Sequence, residues 1–229
     1  MYHRHLSSMA KHIMKVANDA MRDALNEEIE ATIREKLEGK YDKEKIDSAI
    51  KAWFVKDEPS IPDELNRVGL GVSYDMGWQK RSTGMVFDSI SGHAFMIECR
   101  TGEVIRYDVR QTKCKKCEAQ NKTGTSPVPH DCMINWEGGS GAIEAATALD
   151  LTMAVHDSME GRVFIETIVS DDDSTMWSHL QHTSNGRKLV ELIPQPEFLV
   201  DPSHRIKVMA APIFSLVKDT KNPHKYKKN

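Results

Sequence analysis

The chain has 229 residues, of which 39% are hydrophobic and 28% charged, and its formal net charge is −3. This length allows one sizeable domain with an extension, and the slightly acidic balance excludes a general electrostatic attraction to nucleic acid, so such contacts would depend on local basic patches. No run of about eighteen apolar residues and no apolar signal-peptide core is present, so we expect an intracellular protein that is neither secreted nor membrane-spanning.

Residues 1–60 are predicted to form a helical extension. Apolar residues recur at helical spacing over 8–38, with Ser8 as the predicted N-terminal cap and Gly39 as the end signal. A second helix is predicted over 42–54, and two prolines then break the helical pattern. The two helices could present a DNA-binding or dimerising surface, but packing against the main domain is the favoured interpretation.

Residues 61–229 are predicted to form a main domain with elements in the order β-β-β-α-β-α-β-α. Its first strand begins at Val68 and is predicted to end at Asp75, and an insertion of about 110–137 interrupts the domain after a hairpin. The fourth strand covers 162–169. This order is shared by ribonuclease H-like domains, in which the first and fourth strands are neighbours. The predicted fold class is therefore α/β, a mixed five-stranded sheet flanked by helices, with a zinc-binding insertion and a helical extension.

Two of the predicted strands end in carboxylates. Asp75 follows the first strand, and Asp171, Asp172 and Asp173 follow the fourth. Like charges packed together repel each other unless a cation or solvent compensates them. For the three consecutive aspartates taken alone, a solvated loop and a metal site are equally good interpretations. If the first and fourth strands are neighbours, Asp75 lies close to these three aspartates. Carboxylate oxygens are suitable ligands for Mg²⁺ or Mn²⁺. The favoured interpretation is a metal site that activates a water or a 3′-hydroxyl for phosphodiester transfer.

The insertion contains a second candidate site. Cys114, Cys117, His130 and Cys132 follow the spacing C-x2-C-x12-H-x-C, and three thiolates with one imidazole match a tetrahedral zinc ion. The polar segment between them has no core of its own, so zinc would supply its folding energy. Four ligands leave no open position, which predicts a structural ion; coincidental thiols in a loop are the less favoured alternative. Cys99 is predicted to be a core residue inside a strand.

Together these motifs resemble those of Mutator-like element transposases. Residues 72–81 resemble the family's D-x-x-W-x-x-R strand end, and residues 89–104 resemble the hairpin that follows it. Residues 114–144 resemble its C-x-x-C…H-x-C-x-x-N-x-x-G-S-S-x-x-M-E run, and residues 170–174 resemble its G-D-G-D-S motif. The likeness covers about residues 68–207, and the combination is much more specific than any single motif.

The resemblance implies a ribonuclease H-like core whose D-D-E triad binds Mg²⁺ and cuts and joins DNA at transposon ends, in the nucleus or another DNA-containing compartment. By position, Asp75 is the first acid and Asp171 the second, with Asp173 in support. The family's third acid, a glutamate, lies on a later helix, and no acid of this chain matches it. We therefore expect a chain truncated before the third acid and incomplete as an enzyme, and the alternative is that another acid substitutes for it. The basic residues expected to contact DNA phosphates are Lys80, Arg81, Arg205 and Lys207.

Alternatives to a transposase stay open. A ribonuclease H-type nuclease would use Asp75, Glu144 and Asp171, because true ribonucleases of this fold place an acid on the helix after the third strand. A zinc-stabilised DNA-binding protein without catalysis is the other alternative. Asp201 replaces the cysteine of a family Cys-x-x-His pair that would include His204, which leaves the role of this pair open. The oligomeric state is also open, with a homo-oligomer among the alternatives.

Overall fold

A computed structural model describes most of the chain. The described residues are 2–55, 62–79, 89–124, 128–139, 142–171, 174–180, 183–184, 187–203 and 206. The predicted boundary between extension and main domain falls among residues 56–61, outside the described residues, and stays a prediction. The predicted site residues that also lie outside them are Lys80, Arg81, Asp172, Asp173, His204, Arg205 and Lys207.

Two helices open the described chain, and strands and further helices follow them. In order they are α1 (Tyr2–Leu37), α2 (Lys43–Phe54), β1 (Val68–Trp78), β2 (Ser91–Glu98), β3 (Val104–Gln111), α3 (Lys115–Thr123), α4 (Ile143–Ser158), β4 (Val163–Ser170), α5 (Ser174–Leu180), β5 (Thr183–Ser184), β6 (Arg187–Lys188), α6 (Leu189–Leu192) and β7 (Glu197–Val200).

Five strands form one mixed sheet in the order β3-β2-β1-β4-β7, and β5 and β6 form a separate small hairpin. β1 is antiparallel to β2 and parallel to β4, and β4 is parallel to β7. The first and fourth strands are thus neighbours. The predicted fold class, an α/β protein with a mixed five-stranded sheet flanked by helices, an N-terminal helix and a Cys/His-containing insertion, is confirmed.

The prediction that β1 ends at Asp75 is wrong. β1 continues to Trp78 because its last residues pair with β2, where Asp75 faces Phe95 and Trp78 faces Gly92. The prediction for Cys99 is also wrong, since this residue is exposed in the turn after β2 and is not part of the core.

The ends of the first two helices test the capping predictions. α1 ends as predicted, with Gly39 at φ 77°, a left-handed conformation that glycine adopts without strain. Its predicted start is wrong, because the helix already begins at Tyr2 and Ser8 lies inside it. α2 begins after Asp42, whose side chain accepts a hydrogen bond of 2.9 Å from the backbone N–H of Lys45.

The helices α1 and α4 pack on the same face of the sheet. Tyr74 donates a hydrogen bond of 2.7 Å to the backbone oxygen of Glu144, which opens α4. Glu28 of α1 contacts Glu98, which pairs with Val72 and therefore lies on the same sheet face as Tyr74. Buried side chains of both helices, of α2 and of the strands form one continuous core. Since side chains alternate along a strand, Asp75 lies on the opposite face.

Two buried carboxyl groups meet where α1 contacts the sheet. Glu28 is 0% exposed and Glu98 1% exposed. Thr32 donates to Glu28 at 3.2 Å, and Arg100 lies 3.4 Å from the same oxygen. Backbone N–H groups of Arg100 and Thr101 donate to Glu98. Burial, reinforced by the neighbouring Glu98 carboxyl group, raises the pKa of Glu28 to about 8.

Candidate metal centre and acidic strand ends

The four predicted zinc ligands lie together. The ligand atoms of Cys114, Cys117, His130 and Cys132 are all within 4.8 Å of one another. His130 Nε2 is 3.4 Å from the Cys114 sulfur and 3.3 Å from the Cys117 sulfur, and the sulfurs of Cys117 and Cys132 are 3.6 Å apart. A tetrahedral zinc with ordinary bond lengths separates such atoms by roughly 3.5–3.8 Å. The donor set and its spacing therefore fit a zinc ion.

Local structure brings these ligands together. Cys114 immediately precedes α3 and Cys117 lies in its first turn, and the helix ends at Gly124 with φ 64°. The chain then returns with His130, whose Nδ1 is 3.0 Å from the backbone oxygen of Val128. Donation from Nδ1 to this oxygen leaves Nε2 as the atom that points at the thiols, an arrangement typical of metal-binding histidines.

The electrostatics of the thiols also suit a cation. Backbone N–H groups of Cys117 and Met133 lower the pKa of Cys114 to about 6, which favours the thiolate that metals bind. Contact with the Cys132 thiol, together with burial, raises the pKa of Cys117 to about 11. Without a cation, ionisation of Cys117 beside the Cys114 thiolate is thus opposed, and a bound Zn²⁺ would compensate the two charges.

Asn135 clamps the end of the insertion to the strand where the insertion begins. Its backbone N–H donates to the oxygen of Gln111 at 3.0 Å, and its side-chain oxygen accepts from the Gln111 N–H at 2.7 Å. Its side-chain NH2 group donates to the oxygen of Val109 at 2.7 Å. The next residue, Trp136, packs beside Arg110, whose guanidinium group also bonds the carboxylate of Asp150 on α4 at 2.7 Å. The Cys/His cluster is therefore connected to both β3 and α4.

The two predicted catalytic acids lie at the same edge of the sheet. In the parallel pair β1 and β4, the last register partners are Ser73 and Val169. Asp75 and Asp171 each lie two residues beyond this pair, and both are exposed. This register brings both aspartates to the same end of the pairing between β1 and β4, with Asp75 still within β1 and Asp171 immediately after β4.

Glu144, the acid that a ribonuclease would use, lies in the first turn of α4. Its backbone oxygen is bonded by Tyr74, which points away from the face that carries Asp75. Burial, together with the carboxylates of Glu144, Asp75 and Asp108, raises the pKa of the Tyr74 hydroxyl. Tyr74 therefore stays protonated and acts as a hydrogen-bond donor.

Asp201 extends the row of acids to a third parallel strand. Ser170 of β4 pairs with Val200 of β7, and the next residue, Asp201, donates its backbone N–H to the oxygen of Ser170 at 2.8 Å. Its carboxylate accepts from the N–H of Ser203 at 2.8 Å and from the Ser203 hydroxyl at 2.7 Å, so it caps the turn that follows. In the sequence alone, Asp201 is only a departure from a family motif. The missing signal was the parallel register of β7.

A family model of the Mutator-like transposase matches residues 1–229. The chain belongs to the Mutator-like transposase family. No curated protein and no solved structure gives a significant match. The family assignment of this Mutator-like protein confirms the resemblance drawn from its motifs and implies that it binds DNA. Among its described helices, none is long and apolar enough to cross a membrane.

Proposed function

We propose that this Mutator-like protein acts on DNA through Asp75 and Asp171, with Asp173 in support, as the first two acids of a phosphodiester-transfer centre. The parallel register of β1 and β4 carries this proposal, because it sets both aspartates two residues beyond the same strand pair. Both side chains are exposed, so a nucleic acid has access to them. The proposed phosphate contacts are Lys80, Arg81, Arg205 and Lys207.

Asp75 and Asp171 offer the donor chemistry that Mg²⁺ or Mn²⁺ requires, with oxygen ligands and access for retained water. A divalent ion held there would act as a Lewis acid on the attacking water or 3′-hydroxyl. The role of the two aspartates is to hold and orient this centre. Asp75 is suited to it because it sits within a strand paired on its β2 side, so that its backbone is fixed.

The zinc cluster has a structural role in this proposal. Its four protein ligands leave no position for a substrate. Through Asn135 and Arg110 it fixes the connection between β3 and α4. Since α4 packs on β1 through Tyr74, this connection borders the strand that carries Asp75.

The test is cleavage and strand transfer on labelled duplex DNA with Mn²⁺, using the full chain. Asp75→Asn and Asp171→Asn should each lower the rate at least about 100-fold, because each removes a charged metal ligand. Glu103→Gln is the matched control, since this exposed acid lies in the turn between β2 and β3, at the opposite edge of the sheet, and it should leave the rate unchanged. Full activity in both aspartate variants would contradict the proposal.

The same assay separates the alternatives. Preference for an RNA–DNA hybrid, together with loss of cleavage in Glu144→Gln, would indicate a ribonuclease H-type nuclease. DNA binding without cleavage, unchanged by either aspartate substitution, would indicate a binding protein whose zinc cluster stabilises the fold. In the same cleavage assay, a peptide or second chain that supplies a further carboxylate can be added. Cleavage that appears only after this addition would indicate that a third acid is needed.

A further inference from the structure

A groove lies between the sheet and the Cys/His cluster. Its volume is about 730 Å³, and three polar residues from the ends of neighbouring strands line it. These residues are Gln79, which follows β1, Ser91 of β2 and Gln111 of β3. Ser91 pairs with Gln111, and the N–H of Gln79 donates to the oxygen of Ser91 at 3.3 Å. The three residues therefore form one row across the end of the sheet.

This row belongs to the sheet face that carries Asp75. Phe95 faces Asp75 across the strand pair, and Ser91 lies four residues before Phe95 in the same strand. Residues at even spacing in a strand point to one face, so Ser91 shares the face of Asp75. Four residues at about 3.3 Å each separate Asp75 from the row by about 13 Å. DNA that is bound at Asp75 and runs along the strand direction would therefore reach the groove within about four base pairs, at about 3.4 Å per pair.

The side of the groove formed by the insertion is basic. Three exposed lysines line it: Lys113, Lys115 and Lys116. Residues 113–122 contain four lysines and one acid, in a chain whose net charge is −3. Two carboxylates, Glu118 and Asp131, also line the groove, and the lysines outnumber them. The groove thus gathers cations in a chain that has no overall attraction to nucleic acid.

The backbone that carries these lysines is held in place. Lys115 and Lys116 lie between the cluster residues Cys114 and Cys117, at the start of α3. The sulfurs of both cysteines contact the imidazole of the cluster, at 3.4 and 3.3 Å, so the cluster fixes this turn. The backbone oxygen of Lys113 accepts a hydrogen bond of 2.8 Å from the last side chain of β3. Lysines on a fixed backbone lose less freedom on binding phosphate than lysines on a disordered loop.

We propose that this groove binds the phosphate backbone of duplex DNA. Its phosphate contacts are Lys113, Lys115 and Lys116. The inference rests on the proposed function, since it extends the path of the DNA away from the two aspartates. Ammonium groups bind phosphates as point charges, so the groove positions the DNA and does not select its bases. Gln79, on the sheet side of the groove, immediately precedes Lys80 and Arg81, two of the phosphate contacts of the proposed function.

Binding of a labelled DNA duplex to the zinc-loaded full chain, measured by fluorescence anisotropy without Mg²⁺ or Mn²⁺, tests this inference. The groove variant changes all three lysines: Lys113→Gln, Lys115→Gln and Lys116→Gln. It should bind at least about tenfold more weakly, and its slope of log K against log salt should fall by about 2–3, at about 0.9 per phosphate contact. The matched control changes three exposed lysines of α2: Lys43→Gln, Lys45→Gln and Lys51→Gln. The control should change the affinity less than about threefold, because screening by salt limits distant charges.

Wild-type affinity in the groove variant, or equal losses in the groove variant and the control, would overturn the inference. Loss of zinc with unchanged DNA affinity would overturn it too and would assign the lysines to stabilisation of the cluster. Tighter binding of duplex RNA than of duplex DNA would overturn the choice of DNA. A chain that cleaves no DNA but shows the tenfold lysine effect would contradict the proposed function and support the groove.

Zinc removal by a chelator tests the part played by the cluster. The difference in affinity between the wild type and the groove variant should then fall below about threefold, because the turn that carries Lys115 and Lys116 is no longer fixed. An undiminished difference in the zinc-free chain would overturn the positioning of these lysines by the cluster. Helicity measured by circular dichroism reports whether the rest of each variant stays folded.

Discussion

Replacing Glu28 with glutamine should change how the stability of the fold depends on pH. Glu28 and Glu98 are buried together, and Arg100 and Thr32 are the other polar partners of Glu28. One oxygen of each carboxyl group, Glu28 Oε2 and Glu98 Oε1, has no hydrogen-bond partner among the described residues. A single proton shared by the two groups would satisfy both oxygens, which explains why the pair prefers to hold it.

The pKa of Glu28 is about 8 in the folded protein, against an ordinary value of 4.5. The folded state therefore binds this proton more tightly than the unfolded chain. The resulting stabilisation is fully present below pH 4.5, is lost as the pH rises, and is gone above about pH 8. At 1.36 kcal/mol per tenfold change in proton affinity, its upper limit is about 5 kcal/mol, of which about 2 kcal/mol is lost between about pH 6 and 8.

Urea unfolding of the wild-type chain and of Glu28→Gln at several values between about pH 6 and 8 measures this effect. At the lower pH the variant should already be the more stable by about 2 kcal/mol, because the unfolded wild-type carboxyl group is charged above pH 4.5 whereas glutamine is neutral in both states. At the higher pH this difference should widen by about another 2 kcal/mol. Glu27→Gln is the matched control, since this neighbouring side chain is exposed and should leave the pH dependence unchanged. Excess zinc in all samples keeps the cysteine ligands from contributing differently.

Identical pH dependence in wild type and Glu28→Gln would refute the shared proton. It would show that both carboxylates are charged in the folded protein and that Arg100 compensates them. A wild-type stability that rises from the lower to the higher pH would have the wrong sign and would refute the direction of the pKa shift.

Further predictions concern the sheet, the zinc cluster and the contact between β1 and α4. Gly69→Ala should destabilise the fold by about 1–3 kcal/mol in urea unfolding, because a Cβ atom there would meet the side chain of Glu166 at 2.8 Å. Gly71→Ala, where the nearest atoms are 4.0 Å away, should cost less than about 0.5 kcal/mol, and equal effects would contradict this packing. Cys117→Ser should lower bound zinc from about one ion per chain to nearly none by metal analysis, and undiminished zinc would reject this ligand set. Tyr74→Phe should lower the free energy of unfolding by about 1–2 kcal/mol through loss of its 2.7 Å hydrogen bond, and a neutral result would show that water replaces it.

Much of the sheet could be predicted from the sequence because its strands carry their own apolar patterns. β4 (Val163–Ser170), for instance, differs from the predicted residues 162–169 by one residue at each end. The end of β1 could not be predicted in the same way. Asp75 and Gly77 look like turn residues in the sequence. They belong to the strand only because they pair with Phe95 and His93 of β2. The burial of Glu28 could not be predicted either, because beside Glu27 this residue looks like part of a solvated acidic surface. Its burial depends on contact with Glu98, about seventy residues away in the sequence.

The two candidate sites differ in how much of them the sequence reveals. The cluster of three cysteines and one histidine could be predicted as a group, because its chemistry is distinctive and its spacing is short. The relation between Asp75 and Asp171 depends on the order of strands in the sheet, so a prediction required the fold as an intermediate. The position of Asp201 was missed because the parallel pairing of β7 with β4 leaves no local mark in the sequence.

The hydrogen bonds that join Asn135 to Gln111 and Val109 have a consequence for assembly of the protein. They hold the entry and the exit of the insertion side by side, so the chain between them forms a closed loop whether or not its cysteines have found a metal. The hydrogen bonds to β3, and not metal binding, then offset the loss of entropy on closing that loop. We expect the sheet to form first and metal loading to follow as a late, local step. Because of the same hydrogen bonds, a short hairpin could replace residues 112–134 without disturbing β3 before it or α4 after it.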